Sequence, residues 1–371
     1  MLIDVHQIDD LACGAAFLGS GGGGDPYYGT LLAKAAIERL GPIPLLPLAD
    51  LDDDALVVPC GWIGAPTVSV EKLPNGREAV DGLRKLEEIM GRKIGAVMPI
   101  EIGGGNGLAH LIAAAELGLP VADADGMGRA FPESQMAIFN ICGLSACPSV
   151  ITGADGSLRV IDTPDNLEHE RIARAISIEM GGIAHMVEYP LTGRQAKDHA
   201  IAGSFSAAIA AGAAIRQARA QKADPIAALA GALAKSGLYP FCDVLIDGKI
   251  VDLQRETRDG FSVGRVIVSA LTGDRTLEIE FQNENLCARE RDGTVRAMVP
   301  DLISILDRET ADTITTERLA FGQRVKVVAA AAPARLRESH ALTLVGPAAF
   351  GFSETYVPVE ILNNWENAAV V

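Results

Sequence analysis

The sequence predicts an α/β N-terminal three-layer domain plus a C-terminal α+β domain dominated by an antiparallel β-sandwich or barrel. Three observations carry that expectation. Up to about residue 165, short apolar runs alternate with amphipathic helical segments, the pattern of a layered α/β unit. From Asp165 the chain turns helical and alanine-rich, and beyond Tyr239 the apolar period falls to two, as in antiparallel strands. The expected division is residues 1–165, an α/β domain with glycine-rich site loops, and residues 166–371, a helical segment followed by a mainly β domain.

A chain of 371 residues can bury two cores, and its 5% aromatic content suits aliphatic helices and sheets. The formal charge of −16 argues against a nucleic-acid or anionic-membrane surface, which needs clustered Lys and Arg. Residues 1–10 carry acids and no apolar leader core, and no apolar run is long enough to span a bilayer; a cytoplasmic location is expected.

Taken in order, residues 8–18 have helical apolar spacing behind the candidate caps Asp9 and Asp10. The segment GSGGGGDPYYG comes next, in which Asp25 and Pro26 announce a helix over 27–40. Glycines before a helix start let the backbone approach a ligand and leave N–H groups for an anion. Gly22, Gly23, Gly24 and Asp25 are therefore candidate contacts to a carboxylate or heterocycle. The segment has no GK[ST] after it and no strand before it, so neither a Walker nor a Rossmann loop is indicated. Residues 41–47 read as a connector and 55–59 as a buried strand. The next loop, with Glu71 and Lys72, has the same glycine- and proline-rich character, and residues 81–90 form an amphipathic helix.

Residues 93–136 read most like a site. An apolar run over 94–100 ends at Glu101, passes through Gly103, Gly104, Gly105 and Asn106, and enters a helix with Leu108, Leu111, Ile112 and Ala115 on one face. The next apolar run, 119–122, ends in Asp123, Asp125, Gly126, Gly128, Arg129 and Glu133. Consecutive parallel strands place such loops at one rim of an open sheet, where ligands bind.

Helices are expected over 167–180, 196–220 and 225–236, and Gly203, Ser204, Ser206 and Gly212 permit close helix packing within the chain or across a homo-oligomer. Between the first two helices, His185 and Glu188 occupy an expected loop, with His199 beyond. They could serve a metal only with a partner from elsewhere, since their spacing matches no HExxH-type motif. Six scattered cysteines contain no CxxC pair; Cys142 and Cys147 stand nearest the central stretch. Strands are expected over 248–253, 261–270, 276–282, 286–290, 294–299, 302–306 and 324–330, with Asp292-Gly293 as a hairpin turn. The tail from His340 offers one further strand and a GPAAFG loop.

In order along the chain, GSGGGGDPYYG, GAPTVSVEK, EIGGGNG, DADGMGRAFPE, PDLISILDRET and GPAAFGF resemble the S-methyl-thiohydantoin-desulfurase-like family over essentially the whole length. Residues 300–328 are also similar to the C-terminal part of hydantoinase A subunits. The resemblance implies a small-molecule hydantoin or thiohydantoin ring as substrate, and a hydantoinase/oxoprolinase-like enzyme as a candidate partner. It supplies no residue roles, so these come from chemistry.

Replacing ring sulfur by oxygen, or opening a ring C–N bond, requires an activated water, a base, and donors to developing charge. Glu101, Asp123, Asp125 and Glu133 are the candidate catalytic acids and bases. Gly22, Gly23, Gly24, Asp25, Glu71, Lys72, Gly104, Asn106 and Arg129 are the candidate substrate contacts. A divalent metal held by the acids is a second means of activating water, and Cys147 as a covalent sulfur acceptor a third route. The alternative class is a non-catalytic ligand-binding or accessory subunit of a hydantoinase-like assembly.

Overall fold

Apolar runs without polar alternation are stable only where both faces of a sheet are covered, and strands Leu56–Gly64 and Ile94–Pro99 are buried in that way. The computed structural model describes residues 1–65, 68, 72–258 and 261–365. Its first sheet runs Leu2–Ile3, Ile43–Leu46, Val121–Ala122, Ile94–Pro99, Leu56–Gly64, Ile183–Val187, Ser149–Thr152, Leu158–Ile161. In that order the strands from Ile43–Leu46 to Leu56–Gly64 are mutually parallel, and the pairings on either side are antiparallel. Helix Asn166–Glu179 covers one face through Ala173 against Ile151 and Met186. Helix Glu78–Met90 covers the other, where Gly82 lies close to Val187 and Thr152. This is the expected three-layer α/β arrangement.

The later strands Cys242–Arg258, Phe261–Ala270, Thr276–Gln282, Glu284–Glu290, Val295–Met298, Leu302–Asp307 and Arg324–Ala330 form one seven-stranded antiparallel sheet, curled into a half-barrel. Its apolar residues divide between two cores. Val266, Ile279 and Val327 pack with Val359 on one face, whereas Leu286, Leu302 and Val328 join the core of the α/β part. No helix among the described residues is long and apolar enough to cross a membrane.

Several local readings change. The first helix, Val5–Leu18, starts a turn earlier than expected because Asp4 and Gln7 form a reciprocal capping box. Asp10, read as a cap, instead accepts two hydrogen bonds from Arg216, at 2.7 and 2.8 Å. Residues 43–46, read as connector, are a strand; Pro44 is tolerated because its neighbour is only the two-residue edge strand Leu2–Ile3. Residues 183–187, read as a loop, pair with Leu56–Gly64 and extend the first sheet beyond residue 166. The tail contributes helix Ser339–Val345 where a strand was expected, with Ala341 and Val345 buried at helical spacing.

The alanine-rich helix Ser204–Gln221 packs inside the chain, against Val5–Leu18. The approach is close: a Cβ on Gly212 would lie 1.8 Å from the Asp10 carbonyl oxygen, and one on Gly14 1.9 Å from that of Ala208. Gly212→Ala gains helix propensity worth ~0.5–1 kcal/mol but must push two backbones apart. The expected result is a net loss of about 1–3 kcal/mol in chemical denaturation; a more stable variant would contradict this packing.

Candidate functional site

Three parallel strands end at the same rim, and the stretch at or beyond the end of each builds one wall of a single cavity. Leu56–Gly64 brings Trp62 and Ile63, Ile94–Pro99 brings Glu101 and Asn106, and the segment after Val121–Ala122 brings Phe131, Glu133 and Ser134. The glycine loop adds Gly23, Gly24 and Asp25, helix Asn166–Glu179 adds Glu170 and Arg174, and the second sheet adds Asn283 and Glu284. The cavity measures about 150 Å³. Drug-sized ligands occupy ~300–1,000 Å³, so a compact ligand is favoured.

Glu101 is buried and held on both oxygens. Asn106 Nδ2 donates to Oε1 at 2.6 Å, and the Phe131 N–H to Oε2 at 2.9 Å. Asn106 is itself fixed by the Trp62 N–H, which donates to its Oδ1 at 2.6 Å. Burial raises the Glu101 carboxyl well above its usual range, and the Glu284 charge adds to the shift.

Glu284 arrives from the second sheet. The chain turns at Asn283, whose φ of 59° lies in the left-handed region that Asn tolerates, with its Oδ1 accepting from the Ser262 N–H at 2.8 Å. Glu284 Oε1 accepts from the Gly23 N–H at 3.2 Å, while Oε2 is buried and, among the described residues, without a hydrogen-bond partner. Burial pushes this carboxyl up to about 8, against the pull of Arg129. Burial likewise moves Glu188 up to about 8, with the Glu170 charge adding to it.

The glycine loop thus contacts a carboxylate that belongs to the protein. A Cβ on Gly22 would lie 1.9 Å from Glu284 Oε1, and one on Gly23 2.5 Å from the Gly103 carbonyl oxygen. Only glycine permits both the carboxylate and the second loop to come this near.

Of the residues singled out in the sequence, Gly23, Gly24, Asp25, Lys72, Glu101, Asn106 and Glu133 line the one cavity. Gly22 and Gly104 stand behind it, in the packing of loop on loop. Asp123 faces the start of helix Ser204–Gln221, accepting from the Ser206 N–H at 2.9 Å and from its hydroxyl. Asp125 Oδ2 gathers the N–H groups of Ile102, Met127 and Gly128, at 2.8, 3.1 and 2.7 Å, and so joins the two strand-end loops. Arg129 is fully buried and donates to the carbonyls of Ala130, Pro300, Asp301 and Asn285. Glu71 lies outside the described residues. Lys72 reaches the pocket but spends its Nζ on the Met180 carbonyl oxygen.

His185 sits inside the sheet, edge-on to Trp62 at 5.0 Å, and burial lowers its imidazole to about 3. Among the described residues no three His, Cys, Asp or Glu side chains are grouped as metal donors. Cys147 accepts from the Thr163 N–H at 3.4 Å, away from the cavity lining, and burial raises its thiol. The sequence reading missed Glu284 and Arg174. A signal for Glu284 existed: the polar run Gln282-Asn283-Glu284-Asn285 breaks the alternation of apolar and polar residues between Leu277 and Leu286.

Known relatives share both halves of this architecture. The profile of the S-Me-THD-like N-terminal domain matches residues 6–163, and that of the S-Me-THD-like C-terminal domain matches residues 164–359. The chain belongs to the S-Me-THD-like family. No protein of curated function matches it. A crystal structure of a protein from Chromobacterium violaceum is similar across 97% of this chain and 100% of its own, with a TM-score of 0.80 at 23% identity. That likeness concerns the fold.

The pH response of Glu284 tests the site's electrostatics. Its folded-state value lies above the free value of 4.5, so its contribution to stability is complete below about pH 4.5 and is lost as pH rises through about 8. Glu284→Gln removes that loss. The melting temperature of the variant relative to the unaltered protein is expected to rise between pH 5 and pH 8.5; a constant difference would show that Glu284 is not desolvated.

Proposed function

We propose that the chain is a hydrolase acting on a thiohydantoin-like five-membered ring, replacing sulfur on a ring carbon by oxygen from water. The supporting observation is the buried pair Glu101 and Glu284 in one small cavity that also presents Tyr28, Trp62, Leu108 and Met186, apolar surface that suits a planar ring. Two carboxyl groups that are desolvated and feel each other do not both ionise at neutral pH. One therefore serves as base while the other still holds a proton.

Glu284 is the better base. Its Oε2 is unoccupied, and Arg129 favours its ionised form. It accepts a proton from water as the water oxygen bonds to the ring carbon bearing an S-alkyl group, and the adjacent ring nitrogen takes up the displaced π pair. The C–S bond then breaks with its electron pair leaving on sulfur, which is protonated by the pair and departs as a thiol. Of the two protons of water, one ends on the ring nitrogen and one on the thiol, and the ring gains a carbonyl. Asn106 and the Phe131 N–H keep Glu101 in place through the cycle.

Loss of a positioned acid or base costs ~10²–10⁴ in rate. Incubation with an S-methyl-thiohydantoin is expected to release free thiol, with kcat lowered at least about 100-fold in both Glu101→Gln and Glu284→Gln. Thiol assay and ring absorbance read the outcome. Undiminished release by both variants would remove the carboxyl pair from the reaction.

A further inference from the structure

Arg174 lines the cavity and carries a donor without a partner among the described residues. Its side chain is 13% exposed, and its Nε donates to Glu170 at 2.7 Å while Nη2 donates to the Pro132 carbonyl oxygen at 2.9 Å. The guanidinium lies over the Phe261 ring, 4.4 Å from its centroid. Nη1 is buried and, among the described residues, has no acceptor. A buried donor without a partner is disfavoured, the more so on a charged group, and folds keep such groups where a ligand completes them. Arg174 also stands near enough to Glu284 to favour its ionised form.

Two kinds of oxygen could complete Nη1, a carboxylate or a neutral carbonyl. Charge decides between them. Seven carboxyl side chains line the cavity against two cations, Lys72 and Arg174. Arg174 is matched by Glu170, and Lys72 is engaged by the Met180 carbonyl. A ligand carboxylate would meet at Arg174 a guanidinium whose charge Glu170 already offsets, with Glu133 and Glu284 in the same lining, so its desolvation would be poorly repaid. A carbonyl oxygen fills the same donor and adds no charge.

We propose that Arg174 is the substrate-orienting residue of this pocket: its Nη1 donates to a carbonyl oxygen of an uncharged five-membered ring, and rings bearing a carboxylate substituent are rejected. The assignment rests on the ring-hydrolysis reading above, and adds the substrate's charge class and the residue that selects it.

The test is calorimetric titration at pH 7.5 with 5-methyl-S-methyl-2-thiohydantoin and its 5-carboxymethyl counterpart, on the unaltered chain, Arg174→Gln and Arg174→Lys. The unaltered chain is expected to bind the neutral ring at least about tenfold more tightly than the acidic one. A hydrogen bond to a charged donor is worth ~1.5–3 kcal/mol, so both variants are expected to lose about 10- to 100-fold in neutral-ring affinity. Arg174→Lys keeps a cation beside Glu170 but has no second nitrogen; it is expected to hold its melting temperature and still lose binding, separating ligand loss from unfolding. Neutral-ring affinity untouched in both variants overturns the assignment alone. A preference for the acidic ring that disappears in Arg174→Gln overturns it too, by making the residue an anion site. Failure of both rings to bind the unaltered chain removes the ring-hydrolysis reading and this assignment together.

Discussion

A guanidinium with no access to water must be satisfied by the protein, and Arg129 is such a group: it is fully buried, and burial lowers its pKa to about 10. It comes from the loop after the rim strand Val121–Ala122 and donates into the carbonyls of Pro300, Asp301 and Asn285 in the other half of the chain. The charges of Glu284, Asp301 and Glu101 favour its ionised form. One side chain thus joins the halves and supplies the positive charge beside which the acidic pair can exist. Removing one partner from a buried charge network typically costs ~3–5 kcal/mol, because the remaining charges stay buried.

Around that ion the junction is made mainly by backbone and small polar groups. Ser20 Oγ donates to the Ile303 carbonyl at 2.9 Å and accepts from the Ile303 N–H at 2.8 Å. The Asn285 N–H donates to the Ser20 carbonyl, and that of Thr316 to the Gly21 carbonyl. The glycine loop is consequently seated on the second sheet, and its Gly23 N–H meets Glu284. The rule that free N–H groups seek an anion holds here, with an anion supplied by the chain itself.

Much of this was legible in the residues. The switch of apolar period near Tyr239 and the alternation before residue 165 give the two kinds of sheet, and the paired glycine-and-acid loops give the rim. Glu101 and Asn106 were found because they come directly after an apolar run. Orientation was not legible. Asp123 and Asp125 stand two apart in the same loop as Arg129 and read as equals of Glu101, yet one caps a helix and the other binds three backbone N–H groups, contacts whose partners lie far off in sequence or depend on loop shape. Glu284 and Arg174 escaped because an acid in a polar run between two expected strands, or a base on an amphipathic helix, reads as solvated until tertiary packing covers it. Residues 183–187 were misread because a glycine-flanked segment of five residues carries too little periodicity to distinguish strand from loop.

The two buried carboxyls have different origins in the chain, Glu101 from the segment matched by one domain profile and Glu284 from that matched by the other. Neither segment holds both members of the pair. Exchange of one half for that of another protein preserves the pair only if the incoming surface also reproduces the spacing at Gly22, where no side chain fits.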